Sequence, residues 1–214
     1  MSLFKRKKIK FLDKKSVFID KSVIIGNNVT IYENNRIEGN TVIGDNTIIM
    51  PNCYIKDTII ENNCVINYSQ TEASFVGKGC SVGPFARLRP NSKLIEDVKV
   101  GNFVEIKNAT IGKGTKISHL AYVGDAEIGE GCNIGCGAIF VNYNGKLKNK
   151  TIVEDNCFIG SNCNVIAPVR IKKNSYVCAG TTITQDTNEG DFVIGRVRQE
   201  VKENRAKNYL KEIK

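Results

Sequence analysis

Residues 19–55 read IDKSVIIGNNVTIYENNRIEGNTVIGDNTIIMPNCYI, and one aliphatic side chain returns every six residues: Ile19, Ile25, Ile31, Ile37, Ile43, Ile49 and Ile55. After a one-residue slip come Ile60 and Ile66, then Val76, Val82, Leu88, Leu94, Val100 and Ile106. Ile111, Ile117, Val123, Ile128, Ile134 and Phe140 carry the pattern on, and Val153, Ile159, Val165, Ile171, Val177 and Ile183 end it. An amphipathic helix needs apolar residues three and four apart, and a half-buried strand needs strict alternation. A six-residue period over more than 160 positions fits neither. It fits a solenoid in which each hexad is one short strand and one corner. Glycine follows many anchors, as at Gly26, Gly44, Gly77, Gly135 and Gly160, with polar residues next, so the corners are expected there.

The pattern resembles the left-handed parallel β-helix of the hexapeptide-repeat acyltransferases. The resemblance implies the left hand, three strands per triangular coil and, at 18 residues per coil, roughly nine coils. The expected organisation is all-β: a flexible basic leader over 1–10, a left-handed β-helix over 11–199, and a short amphipathic helix over 200–214 built on Val201, Ala206, Leu210 and Ile213. Residues 142–150, rich in Asn, Gly and Lys, interrupt the ladder between Phe140 and Val153 and read as an exposed loop.

Composition narrows the function. The 214 residues carry 31 Lys+Arg against 22 Asp+Glu, a formal charge of +9, with eight Cys and one His. No apolar run approaches the ~20 residues of a membrane span, and no apolar stretch follows the first charges as a secretory signal requires. A reducing cytoplasm is the expected compartment. Cys53, Cys64, Cys80, Cys132, Cys157 and Cys163 each stand two residues before an anchor. That position faces inward, so they read as packing residues rather than disulfides or metal ligands. One His cannot build a three-histidine zinc site, so no metal is expected and the gamma-class carbonic anhydrases, which share the fold, are discarded. The charge alone fits nucleic acid, a membrane surface, an anionic small molecule or a solvated surface. The KRKK run of the leader is read as an ordinary tail, with neither nucleic acid nor membrane as partner.

Four stretches go beyond a bare repeat: Gly83-Pro84-Phe85-Ala86-Arg87-Leu88-Arg89-Pro90; Val100-Gly101-Asn102-Phe103-Val104-Glu105-Ile106-Lys107; Ser118-His119-Leu120-Ala121-Tyr122-Val123-Gly124-Asp125; and Asn133-Ile134-Gly135 through Asn142-Tyr143-Asn144-Gly145. Together they resemble the C-terminal acetyltransferase domain of the bifunctional N-acetylglucosamine-1-phosphate uridyltransferase/glucosamine-1-phosphate acetyltransferases. The resemblance implies acetyl transfer from acetyl-CoA to the amine of glucosamine 1-phosphate. It implies His119 as the base, Asn142 beside the reacting groups, and Arg89, Lys107 and Lys148 on the sugar phosphate. Tyr122 and Asn133 match further sugar contacts. Cys136, Tyr143, Ser161, Ala179 and Arg196 match the acetyl-CoA positions, with Cys136 where that family usually has Ala and Asn144 where it usually has Asp. Glu105 is assigned either to His119 or to a sugar hydroxyl. The resemblance also implies a homotrimer with sites shared between subunits. The nucleotidyl-transfer half of that family has no place in the first 18 residues and is expected to be absent. Two competing readings stay open: an acetyltransferase for another amino sugar or nucleotide sugar, and a non-catalytic β-helical assembly module.

Overall fold

A computed structural model describes residues 8–210. The chain winds into a parallel β-solenoid of about 10 turns, the architecture of the left-handed hexapeptide-repeat β-helix. Its strands form three ladders, one per face. The first face starts at Ile9–Phe11, passes through Val29–Ile31 and Ile48–Ile49, and ends at Tyr176–Val177 and Phe192–Val193. The second runs from Phe18–Ile19 and Arg36–Glu38 to Asn164–Ile166 and Thr182–Ile183. The third runs from Ile24–Ile25 to Val169–Ile171. Two nine-residue strands, Lys99–Lys107 and Lys116–Gly124, continue without a break from the first face into the second. Coil length varies: Ser81 pairs with Lys99 eighteen residues on, but Val65 pairs with Ser81 only sixteen on. The count exceeds the expected nine because the ladder runs from Ile9 to Val193, beyond both ends of the 19–183 anchor run.

The six-residue anchors are the core. Ile31, Ile37, Ile55, Ile66, Leu88, Ile106, Ile117, Val123, Phe140, Ile159 and Val177 have no exposed surface. Each such aliphatic stabilises the fold by about 1.5–3 kcal/mol relative to an exposed one. The corners fall in the polar residues that follow each anchor, as expected, with the turn made at the third residue. There Asn28, Asn34, Asn46, Asn52 and Asn63 adopt left-handed backbone with φ between 57° and 61°. Asparagine tolerates that region because its short side chain hydrogen-bonds locally. The glycine directly after the anchor has a different cause, close approach between coils. A Cβ at Gly77 would stand 1.5 Å from the Ile95 carbonyl oxygen.

The inward cysteines behave as read. All six are buried and unbridged, and burial pushes the Cys53 and Cys64 thiols up to about 11 and Cys80 to about 12. Among the described residues no cluster could hold a metal ion. Two boundaries need correction. The ladder begins at Ile9–Phe11, inside the stretch expected to be leader, whose residues 1–7 lie outside the described ones. The helix expected over 200–214 is not formed in its described part, which holds a single 3-10 turn at Ala206–Asn208. Asn204 takes a φ of 58° and interrupts helical geometry, and Val201 and Leu210 stay 72% and 70% exposed. A helix of this length needs tertiary packing to form. Residues 211–214, which include Ile213, lie outside the described residues.

One anchor escaped the periodicity. Thr71 stacks between Ile55 and Leu88 on the second face, fully buried, and its hydroxyl has no hydrogen-bond partner. Thr71→Val keeps the shape and removes the unpaired hydroxyl. The expected result is a gain of about 1–2 kcal/mol in unfolding free energy, read as a higher urea midpoint at unchanged slope. An unchanged or lower midpoint contradicts this account.

Candidate active site

The two long strands place Asn102 beside His119 at the corner between the first and second faces. His119 Nδ1 lies 2.7 Å from Asn102 Oδ1. An amide oxygen only accepts, so Nδ1 donates and Nε2 is the nitrogen the exposed ring leaves open. Asn102 was not singled out in the sequence; its signal there was its place one coil before His119. Glu105 does not orient the imidazole. It accepts from Arg89 Nη1 at 2.8 Å on the second face.

The rungs below His119 continue this corner. Gly137 N donates to Leu120 O at 2.6 Å, Asn162 N to Cys136 O at 2.8 Å and Gly180 N to Ser161 O at 2.8 Å. His119, Cys136, Ser161 and Ala179 therefore occupy successive rungs of one exposed column. Glycine keeps the wall tight: a Cβ on Gly160 would stand 2.4 Å from Ala179 N. At the far end, Arg196 Nη1 donates to Ala179 O at 2.9 Å. Asn133 sits nearby on the first face, half-buried between Lys116 and Phe158.

A second cluster gathers at the corner between the second and third faces. Arg89, Lys107 and Lys148 converge there: Lys148 foremost, then burial and Arg89, lower the Lys107 pKa, while Asp125 opposes them. Above Gly124 crowd Tyr122 and Asn142. A Cβ on that glycine would lie 2.5 Å from the Tyr122 hydroxyl and 2.9 Å from Asn142 Nδ2. Asp125 is buried and accepts from Asn108 Nδ2 at 2.5 Å and from Asn142 Nδ2. Burial works against its charge, yet the two amides and the two lysines hold its carboxyl below the usual range. A cleft of about 490 Å³ opens beside it, lined by Asn91, Lys93, Asn108, Lys148 and Lys150; His119 is not on its wall. Tyr143, expected with the cofactor positions, stands in the loop at this corner, 57% exposed, its hydroxyl donating to Gly145 O at 2.7 Å.

The fold thus brings Arg89, Lys107, Tyr122, Asn142 and Lys148 together and leaves His119 with Cys136, Ser161, Ala179 and Arg196 at another corner. Five residues of strand from His119 to Gly124 separate the two, a path of roughly 17 Å at ~3.3 Å per residue. One corner offers an exposed imidazole at the head of a column of small residues. The other offers three cations and an amide, the chemistry that holds a phosphate and orients a polar group.

Comparison with known proteins agrees with the repeat. Residues 40–69 match the bacterial transferase hexapeptide (six repeats), and residues 150–185 the hexapeptide repeat of succinyl-transferase. UDP-N-acetylglucosamine acyltransferases from Arabidopsis and from Bacteroides fragilis share the fold. Each has a TM-score of 0.62 at 18% identity; the matches cover 83% and 82% of this chain and 69% and 68% of those chains. The chain is therefore built of hexapeptide repeats of the kind described in bacterial transferases. Its sequence relatives are more particular. It is 55% identical over 149 residues to the bifunctional protein GlmU of Clostridium novyi, covering 70% of this chain and 33% of that one. It is 56% identical over 150 residues to the GlmU of Caldicellulosiruptor saccharolyticus, covering 70% and 32%. The chain spans about a third of the length of these relatives, and what it matches is their C-terminal acetyltransferase part.

Of the eight thiols only Cys136 is exposed. An aromatic disulfide reagent at neutral pH is expected to titrate one thiol in the folded protein within minutes. The remaining seven should react only after denaturation, and Cys136→Ala should abolish the fast phase. More than one fast thiol would contradict the packing described.

Proposed function

We propose that the chain is an acetyl-CoA-dependent N-acetyltransferase whose acceptor is the amine of glucosamine 1-phosphate. The observation that carries this is the column His119–Cys136–Ser161–Ala179, with a ring held by Asn102 so that Nε2 is the basic atom. Acetyl-CoA lies along that column, its phosphates toward Arg196. The small side chains let the pantetheine arm approach the backbone. Arg89, Lys107 and Lys148 hold the sugar phosphate, Arg89 through a planar fork and the lysines as point charges. Tyr122 and Asn133 contact the sugar, and Tyr143 the cofactor. The amine attacks the thioester carbonyl while Nε2 takes its proton; the C–N bond forms, the C–S bond breaks, and coenzyme A leaves as the thiol.

Base and cations stand at separate corners of one chain, so a complete site needs a second copy. A homotrimer supplies it by setting the His119 corner of one subunit against the cation corner of the next. An apolar ridge beside the column suits such a contact: Phe85, Phe103 and Leu120 are 57%, 58% and 58% exposed, and the Phe85 and Phe103 rings stack at 5.6 Å. Their backbones take φ of 56°, 57° and 36°, where bulky residues are strained. Strain of that kind is kept where the surroundings use it. A cytoplasmic reaction is part of this reading, and eight cysteines kept as thiols support a reducing compartment.

The test is release of coenzyme A from acetyl-CoA with glucosamine 1-phosphate and a panel of other amino sugars and nucleotide sugars. Turnover of glucosamine 1-phosphate supports the proposal; activity confined to another amine, or none with any, replaces it with one of the competing readings. His119→Ala is expected to lose about 10²–10⁴-fold in kcat with acetyl-CoA affinity nearly unchanged. Near-normal turnover in that variant rules out the mechanism. Acetyl-CoA is also expected to slow the labelling of Cys136, and no protection at saturating cofactor would displace the cofactor from the column.

A further inference from the structure

Asp125 has no part in the acetyl transfer just described, yet its hydrogen bonds reach across the second corner. Its carboxylate accepts from Asn142 Nδ2 on one oxygen and from Asn108 Nδ2 at 2.5 Å on the other. Its backbone N–H donates to Lys107 O at 3.0 Å, and its own carbonyl accepts from Thr151 N at 3.1 Å. Asn142 O in turn accepts from Asn149 N at 2.7 Å. Asp125 therefore grips the 142–150 loop at both ends, and that loop carries Lys148. It does so from a backbone φ of 48°, in the left-handed region, while 9% exposed.

We propose that Asp125 is the positioning residue of this site: it turns the Asn142 amide, fixes the base of the Lys148 loop, and supplies the counter-charge between the phosphate-binding lysines. The argument rests on the reading above that Asn142 stands beside the reacting groups. A carboxylate can only accept, so it selects the amide rotamer with NH2 inward. The Asn142 carbonyl oxygen is the end left for the N–H of the attacking amine, which it would orient toward the thioester. The charged groups around Lys107 are Lys148, Arg89 with its partner Glu105, and Asp125, and of these Asp125 opposes the lowering of the Lys107 pKa that Lys148 and Arg89 produce.

Asp125→Asn is the informative substitution, because asparagine is the same size and tolerates the left-handed backbone. It puts an NH2 where an acceptor stood and removes the charge. The expected result is a fall in kcat of about tenfold or more, with the KM for glucosamine 1-phosphate at pH 7 unchanged or lower, since the corner becomes more positive. The alkaline rise of that KM should begin at lower pH than in the parent, because Lys107 loses its supporting charge. Thermal unfolding of both proteins controls for folding. A kcat within twofold of the parent overturns the proposal. So does a joint loss of kcat and of affinity for both substrates with a lower unfolding midpoint, which is what a merely structural role produces. If the parent itself acetylates no glucosamine 1-phosphate, the acceptor reading fails, and the side-chain amide of Asn142 still decides this one. By 15N NMR its NH2 protons should exchange slowly in the parent and fast in Asp125→Asn. Equal exchange rates in the two proteins overturn the proposal.

Discussion

Everything in this molecule depends on the main-chain hydrogen bonds between successive coils. Each strand is too short to stand alone, and its N–H and C=O groups are paired only because the coil above and the coil below lie in register. That register stacks equivalent positions one over another. Aliphatics fall on aliphatics and close a dry core, and left-handed asparagines fall on left-handed asparagines, as Asn28 does on Asn46 with an amide contact of 3.2 Å. A change of length is tolerated only where the chain has left a face. Asn133 pairs with Phe158 twenty-five residues on, against seventeen between Lys116 and Asn133. The surplus is the 142–150 loop, thrown out at a corner without disturbing the ladders.

The same register decided how much could be read beforehand. Ile31 or Leu88 was legible because a core position repeats many times and each repeat votes for the same chemistry. Thr71 was not, since its burial follows from Ile55 below and Leu88 above, both distant in sequence. The corner was read from a glycine and the polar residues after it, and only the glycine proves to have another cause. At Gly77 it answers to a neighbouring coil rather than to its own turn. The helix expected over 200–214 was read from four apolar residues, two of which, Val201 and Leu210, find nothing to pack against.

The candidate site was legible as a set of residues and illegible as an arrangement. His119, Arg89, Lys107, Tyr122 and Asn142 were all singled out by motif, yet motifs are linear and the corners are not. Asn102 and Asp125 emerged only when coils were laid side by side, since their partners stand 17 residues away in sequence. The two corners differ in their physics. At the first an exposed imidazole has one nitrogen occupied by the Asn102 side chain. At the second Lys148 and Arg89 stand close enough to lower the Lys107 pKa, and a buried carboxylate opposes them.

The column below His119 is also a ruler graduated in rungs. Its marks are about 4.8 Å apart, the spacing of hydrogen-bonded strands, so three steps from His119 to Ala179 span roughly 14 Å. No point substitution can stretch that length, because it is set by a count of coils. A lineage could change the reach between the reactive end and Arg196 only by adding or removing a whole coil. The fold thereby restricts the length of molecule the groove can measure to discrete values, whatever side chains line it.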